Sequence, residues 1–141
     1  MSEYSKKAIY SALSGRAALT TLLGTDEDAN PAIYNVSFNA VSDPPFPCVT
    51  FREGDGSADQ RFRTETVGSE IFDLEAWART ESGLIIPRIL EQIDAALHNQ
   101  RLTLASGYNF ESVRLTQSPD LYDDKLNLHF GLARYRLIVL S

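Results

Sequence analysis

The sequence predicts an α+β fold: one mainly antiparallel sheet, two main helices packed on one of its faces, and a long protruding loop or hairpin. Three observations carry this. Ile86, Ile89, Leu90, Ile93 and Leu97 repeat at helical spacing and form one apolar stripe. Phe72, Leu74 and Ala76 alternate with Asp73 and Glu75, as do Leu126, Leu128, Phe130 and Leu132 with their neighbours, which is the period of a half-buried strand. The order of segments reads α, β, β, β, α, β, β, β, a succession that calls for an antiparallel sheet with helices segregated to one side.

In chain order, Ile9, Ala12, Leu13, Ala17 and Leu22 predict a helix from a Ser2 cap to Ser14, then a short one from Arg16 to Leu23. Gly15 disfavours one continuous helix, and Gly24 reads as a C′ glycine. Thr25 to Pro31 is a polar connector, followed by a short Ile33–Tyr34 strand. Pro44, Pro45 and Pro47 force an extended approach to a strand in which Val49 and Phe51 share a face. Gly54 to Ser69 is a 16-residue stretch, long enough to be a functional loop, a protruding hairpin or a mobile segment. The second helix starts from a Thr80 or Ser82 cap, with Pro87 kinking or restarting its first turn, and stops near Asn99. Strands follow at Arg101–Leu104, Phe110–Gln117 and Leu126–Leu140. In the last, the apolar phase moves from Leu132 to Tyr135, Leu137 and Val139, which requires a bulge or a change of buried face between Gly131 and Arg134.

At 141 residues the chain is expected to form one domain, 1–141, and 43% apolar residues suffice for a core. With 13 basic against 19 acidic residues the net charge is −6, which argues against nucleic-acid binding through a basic footprint. One cysteine, Cys48, excludes an internal disulfide and suits a reducing compartment. No apolar run reaches membrane-span length, and the first residues lead into no signal-peptide stretch, so a soluble intracellular chain without membrane contact is expected.

Catalytic and metal motifs are missing. His98 and His129 are the only histidines, 31 residues apart, and lack zinc-site spacing with Cys48. Asp26, Asp28 and Asn30 imitate the start of a calcium loop, but Pro31 stands where glycine is needed and Ser37 where glutamate is needed. Gly54-Asp55-Gly56 carries an acid where a phosphate cradle excludes one. Asp73 and Glu75 share a strand face and resemble an acid–base pair, but the polar face of a half-exposed sheet, or a face meeting arginine from a partner chain, is the preferred reading. No catalytic residue, metal or cofactor is expected.

The basic residues are unevenly chosen: 10 are Arg and 3 are Lys. Arginine is favoured at interfaces because its weakly hydrated guanidinium binds bidentately, although genomic base composition yields the same ratio. Arg61, Phe62 and Arg63 place an aromatic between two arginines in the long loop, and Phe46 stands in the proline-rich segment. These four are the candidate interface residues.

The succession of segments resembles a known family. Ala8-Ile9-Tyr10-Ser11-Ala12-Leu13 with Ala17 to Gly24, the short Ile33-Tyr34 strand, Pro47-Cys48-Val49-Thr50-Phe51, and Phe72-Asp73-Leu74-Glu75-Ala76-Trp77-Ala78 ahead of the Ala95-Ala96-Leu97 helix are similar to the tail-completion proteins of long-tailed phages, prophages and gene transfer agents. The Asp120-Leu121-Tyr122-Asp123 turn and long final strand fit too. The resemblance implies a non-enzymatic virion protein of the tail or neck, made in the bacterial cytoplasm. It implies a ring, typically a hexamer, at the head-proximal end of the tail tube, which ends tube growth as a tail terminator or joins tail to head. Its partners would be itself, the tail-tube protein and a head–tail connector. Within such a ring, Asp73, Glu75, Asp123 and Asp124 would line an acidic lumen that DNA passes without specific binding. The alternatives are a small cytosolic α+β ligand-binding or regulatory domain, and an enzyme built on Asp73 and Glu75.

Overall fold

A computed structural model describes residues 3–54, 69–79, 84–104, 107 and 109–140. Three α-helices, α1 (Glu3–Ser14), α2 (Ala17–Thr20) and α3 (Ile85–Leu97), accompany six strands: β1 (Ile33–Tyr34), β2 (Cys48–Glu53), β3 (Ser69–Ala78), β4 (Gln100–Thr103), β5 (Asn109–Asp123) and β6 (Leu128–Leu140). One sheet holds them in the order β1-β2-β3-β6-β5-β4. Among the described residues only β1–β2 is parallel, and the other strand pairings are antiparallel. The α+β class and mostly antiparallel sheet are therefore as the sequence predicts.

α3 holds by packing more than by its ends. Its N-cap is Leu84, which makes no side-chain cap bond, while Ile86, Ile89, Leu90, Ile93 and Leu97 are all fully buried. Each such side chain contributes about 1.5–3 kcal/mol relative to exposure. Because α3 begins at Ile85, Pro87 falls in the first turn, where its missing N–H costs nothing and no kink arises. Thr80, Ser82 and Gly83 lie outside the described residues. Asn99 ends the helix in the left-handed region, at φ 57°.

α3 contacts β3, β5 and β6, and α1 lies against α3. Beneath them Phe51, Phe72, Leu74, Phe110, Tyr135 and Leu137 join the stripe of α3 in the main core. A second, smaller cluster of Ala32, Cys48, Trp77 and Leu128 sits apart from it. The Tyr135 hydroxyl donates to Asp94 Oδ1 at 2.8 Å, and Arg114 Nη1 pairs with Asp94 Oδ2 at 3.2 Å, tying α3 to β5 and β6. Burial first, then Asp94, pushes the Tyr135 phenol far up and keeps it a neutral donor.

Gly24 and the end of β5 depart from expectation, and of the two readings offered for β6 the change of buried face holds. Gly24 is not in the left-handed conformation of a C′ glycine. It is small because the chain passes the proline-rich segment there: a Cβ would lie 2.9 Å from the Phe46 carbonyl oxygen, and the Gly24 N–H donates to the Pro47 carbonyl at 2.8 Å. The phase change in β6 is a change of buried face, since its register with β3 runs unbroken from Ser69↔Ile138 to Ala78↔His129. The bulges lie on β5 instead, between Arg114 and Thr116 and between Ser118 and Leu121. They carry β5 on to Asp123, beyond the Gln117 end that the sequence predicts.

Candidate functional site

The face of the sheet turned away from α3 carries the site. Gly131 fixes which face is which, because a Cβ there would meet Ile86 and Leu90. Alternation along β6 then puts Phe130, Leu132 and Arg134 on the open side. Register brings neighbours to them: Asp73 beside Arg134, Glu75 beside Leu132, and Trp77 beside Phe130. On the other flank of β3, Arg52 stands beside Asp73 and Thr50 beside Glu75.

The charges pair unequally. Arg134 grips Asp73 bidentately, Nε to Oδ1 at 2.7 Å and Nη2 to Oδ2 at 3.2 Å. Among the described residues Glu75 has one cationic partner, Arg52, at 3.9 Å, too long for a hydrogen bond. Burial pushes the Glu75 carboxyl up, with Arg52 opposing that shift. Trp77 Nε1 finds no acceptor at hydrogen-bond geometry, yet lies close enough to Glu75 to favour its charged form. Cys48, on the strand beside Trp77, is pushed up to about 12, chiefly by burial and then by Glu75.

Aromatic rings extend this surface. One turn of 3-10 helix, Phe38–Ala40, lays Phe38 on Trp77 at 4.1 Å between centroids, and Trp77 lies on Phe130 at 4.6 Å. These are stacking distances, so the three rings form one column. The ladder and the column line an open groove of about 690 Å³, to which Thr116, Ser118 and Leu126 also contribute. A neighbouring hollow of about 530 Å³ shares Phe38, Asn39 and Leu126 with it and continues past Phe46 and Arg79.

Of the sequence candidates, Asp73, Glu75 and Asp123 come together on this groove. Asp123 shapes the β5–β6 turn, its Oδ1 accepting the Lys125 and Leu126 N–H groups at 3.0 and 2.9 Å. Asp124 is exposed in that turn and not among the residues lining the groove. Phe46 is half-buried, tilted against Phe38 at 6.1 Å and covered by the Arg79 guanidinium at 4.5 Å. Arg61, Phe62 and Arg63 lie outside the described residues. His98 caps α3 and accepts the Arg114 backbone N–H on Nδ1 at 3.0 Å, a structural bond. His129 meets Tyr122 edge-on.

Arg52, Arg134, Phe38 and Phe130 are not singled out by the sequence. The one signal present is parity: Asp73, Glu75 and Trp77 lie two residues apart and must share a face. Among the described residues no three metal-ligating side chains gather. What the groove holds is a bidentate Arg134–Asp73 pair, the half-buried Glu75 carboxylate and a column of stacked rings.

Comparison with known proteins gives this surface its setting. The solved structure "Virion of native gene transfer agent (GTA) particle" contains a chain with the same fold, at a TM-score of 0.70 and 19% identity over 96% of this chain and 94% of that one. A second solved chain matches at a TM-score of 0.59 and 11% identity over 96% of each. No curated protein matches the sequence. The model of the family "Tail completion protein gp17" matches residues 7–140, nearly everything described above. The chain belongs to the tail completion protein gp17 family, whose members are structural proteins of phage tails.

Proposed function

We propose that this protein is a ring-forming virion subunit at the head-proximal end of a phage or prophage tail tube. There it ends tube growth and joins tail to head. The observation that carries the reading is the family match across residues 7–140, which takes in both edges of the sheet and the open-face groove. The fold shared with a chain of a gene transfer agent virion supports it.

The mechanism is geometric. A closed ring needs heterologous contacts, in which one patch of each subunit meets a different patch of the next. The sheet supplies unlike patches: a parallel two-residue edge at β1, and at the other edge a short β4 that covers only Asn109 to Ser112 of β5. Repetition around an axis would set the groove acids and Asp124 at regular intervals. In the ring, the −6 charge of each subunit keeps DNA in passage from adhering to the wall. The tail-tube protein on one side and a connector on the other are the remaining partners, and no catalysis is assigned.

Negative-stain electron microscopy of the purified chain with its tube protein tests this. Rings of uniform subunit number, seated on tube ends and stopping their growth, are expected. Free tube ends and a chain that forms no ring at any concentration would refute it.

A further inference from the structure

We propose that the open-face groove receives an arginine side chain from a second copy of this chain, with the Glu75 carboxylate as its counter-ion and the Trp77–Phe130 stack beside it. The choice of a second copy rests on the ring reading above.

Glu75 is the groove's unfinished interaction. Its side chain is 17% exposed, and its one cationic neighbour among the described residues stands at 3.9 Å on a side chain that is itself 55% exposed. Asp73, two residues earlier, shows what completion looks like, with two bonds from one guanidinium. A half-buried carboxylate without such a partner carries an uncompensated desolvation cost, and an incoming cation removes it. Burial also holds its carboxyl up, as expected of an acid awaiting a counter-charge.

The surroundings select arginine. A planar guanidinium binds a carboxylate bidentately and stacks on aromatic faces, whereas lysine is a compact, strongly hydrated charge. The column of Phe38, Trp77 and Phe130 lies beside the acid in the same open groove of about 690 Å³. The indole N–H of Trp77, a residue 5% exposed, already favours the charged form of Glu75, the form that a guanidinium binds.

The chain carries suitable donors elsewhere on its surface. Arg88 on α3 and Arg101 on edge strand β4 are exposed and make no ion pair among the described residues; Arg101 stands across from Glu111 without forming one. Both belong to elements that do not line the groove. That separation of donor from acceptor is what a heterologous contact requires.

Trp77 is the only tryptophan, so its indole N–H gives one NMR resonance that reports on the groove. Titration with N-acetyl-arginine amide should move that resonance saturably, while the neutral isostere N-acetyl-citrulline amide at equal ionic strength should not, and Glu75→Gln should abolish the response. No shift, or an equal shift with citrulline, overturns the groove whatever the state of assembly.

Sedimentation velocity, with and without the tube protein, reads the second copy. Glu75→Arg should weaken self-association roughly tenfold or more, on the scale of breaking a close interfacial charge pair. Arg88→Glu or Arg101→Glu, added to Glu75→Arg, should restore it. Should Glu75→Arg fail to fold, the near-isosteric Glu75→Gln carries the measurement. Rings that form equally well without the Glu75 charge leave the ring reading standing and overturn this inference. A Trp77 response without any self-association overturns the ring reading and, with it, the second copy as occupant. Failure of both swaps to restore assembly overturns the choice of donors.

Discussion

Gly131 is where the sheet and α3 come closest, and replacing it with alanine measures how tightly they are locked. Its backbone is outside the left-handed region, so alanine meets no conformational strain. The obstacle is space: the new Cβ would lie 2.6 Å from Ile86 Cγ2 and 2.7 Å from Leu90 Cδ1. Carbon atoms prefer about 3.5–4.0 Å, so something must shift by roughly an ångström. Ile86 and Leu90 are fully buried and have no solvent to move into, which leaves α3 to lift from β6. Such overpacking costs about 1–3 kcal/mol. Losing a glycine from the unfolded chain returns about 0.4–1 kcal/mol. Gly131→Ala should therefore destabilise by about 1–2 kcal/mol, a fall in Tm of roughly 2–8 °C for a chain of this size. Urea unfolding followed by far-UV circular dichroism should show a lower midpoint at unchanged m. Leu90→Ala alone should cost about 2–5 kcal/mol, and the double variant should cost less than the sum because the methyl group added at position 131 fills part of the cavity. A neutral or stabilising Gly131→Ala, or strict additivity, would refute this account of the interface.

Three further outcomes follow from the core and the groove. Tyr135→Phe removes the donor that meets Asp94 at 2.8 Å while Arg114 remains, so urea unfolding should register a loss of about 1–2 kcal/mol; an unchanged midpoint would show the bond to be idle. Cys48 is fully buried with its thiol pushed up to about 12, so iodoacetamide at mildly alkaline pH should label it only in denaturant; mass spectrometry showing equal rates in both states would contradict the burial. Glu75 has its folded-state carboxyl raised above the ordinary 4.5, so between those two values the folded chain holds the extra proton. Stability from this group is thus greatest at acid pH and declines as pH rises from about the unfolded value through the folded one. The stability difference between wild type and Glu75→Gln, followed by urea unfolding across that window, should show this slope, and a pH-independent difference would remove Glu75 as its source.

What depends on local period is legible in the sequence. The five-residue stripe of α3 and the alternation of β3 are readable because each element decides its buried face within a dozen residues. β5 reads too short because Asp120-Leu121-Tyr122-Asp123 reads as a turn, whereas Leu121, Tyr122 and Asp123 pair with β6 and the turn follows at 124–127. A bulge between Ser118 and Leu121 lets β6 carry the pairing on to Asp123. The groove is half legible. Parity puts Asp73, Glu75 and Trp77 on one side, but nothing local says that Arg134, 61 residues later, arrives beside Asp73. Nor does a 3-10 turn announce that Phe38 will lie on Trp77. Register between distant strands is set by the whole sheet, so the partners of a strand residue stay hidden until the topology is known. Family membership is readable from the succession of weak segments, since no single motif carries it.

β6 explains how one sheet carries a core on one face and an open groove on the other. Its residues 131, 133, 135 and 137 face the helices, where Gly131 admits α3 and Tyr135 reaches Asp94. Residues 130, 132 and 134 face the groove, where Phe130 stacks on Trp77 and Arg134 holds Asp73. The apolar phase change that a sequence reader meets near Arg134 is the point where the strand's hydrophobic payload passes from one face to the other. Toward its start, Leu128 packs with Trp77 in the small cluster; toward its end, Leu137 packs in the main core. An interruption of β6 would have served the alternation equally well, but would have broken the continuous register with β3 that sets Asp73 beside Arg134 and Trp77 beside Phe130. Keeping β6 regular and placing the bulges on β5 preserves that alignment, and it leaves the irregular strand bordering the groove at Thr116 and Ser118. The acids of this face are consequently not equivalent: Asp73 accepts two hydrogen bonds from Arg134, whereas Glu75 meets Arg52 only at 3.9 Å.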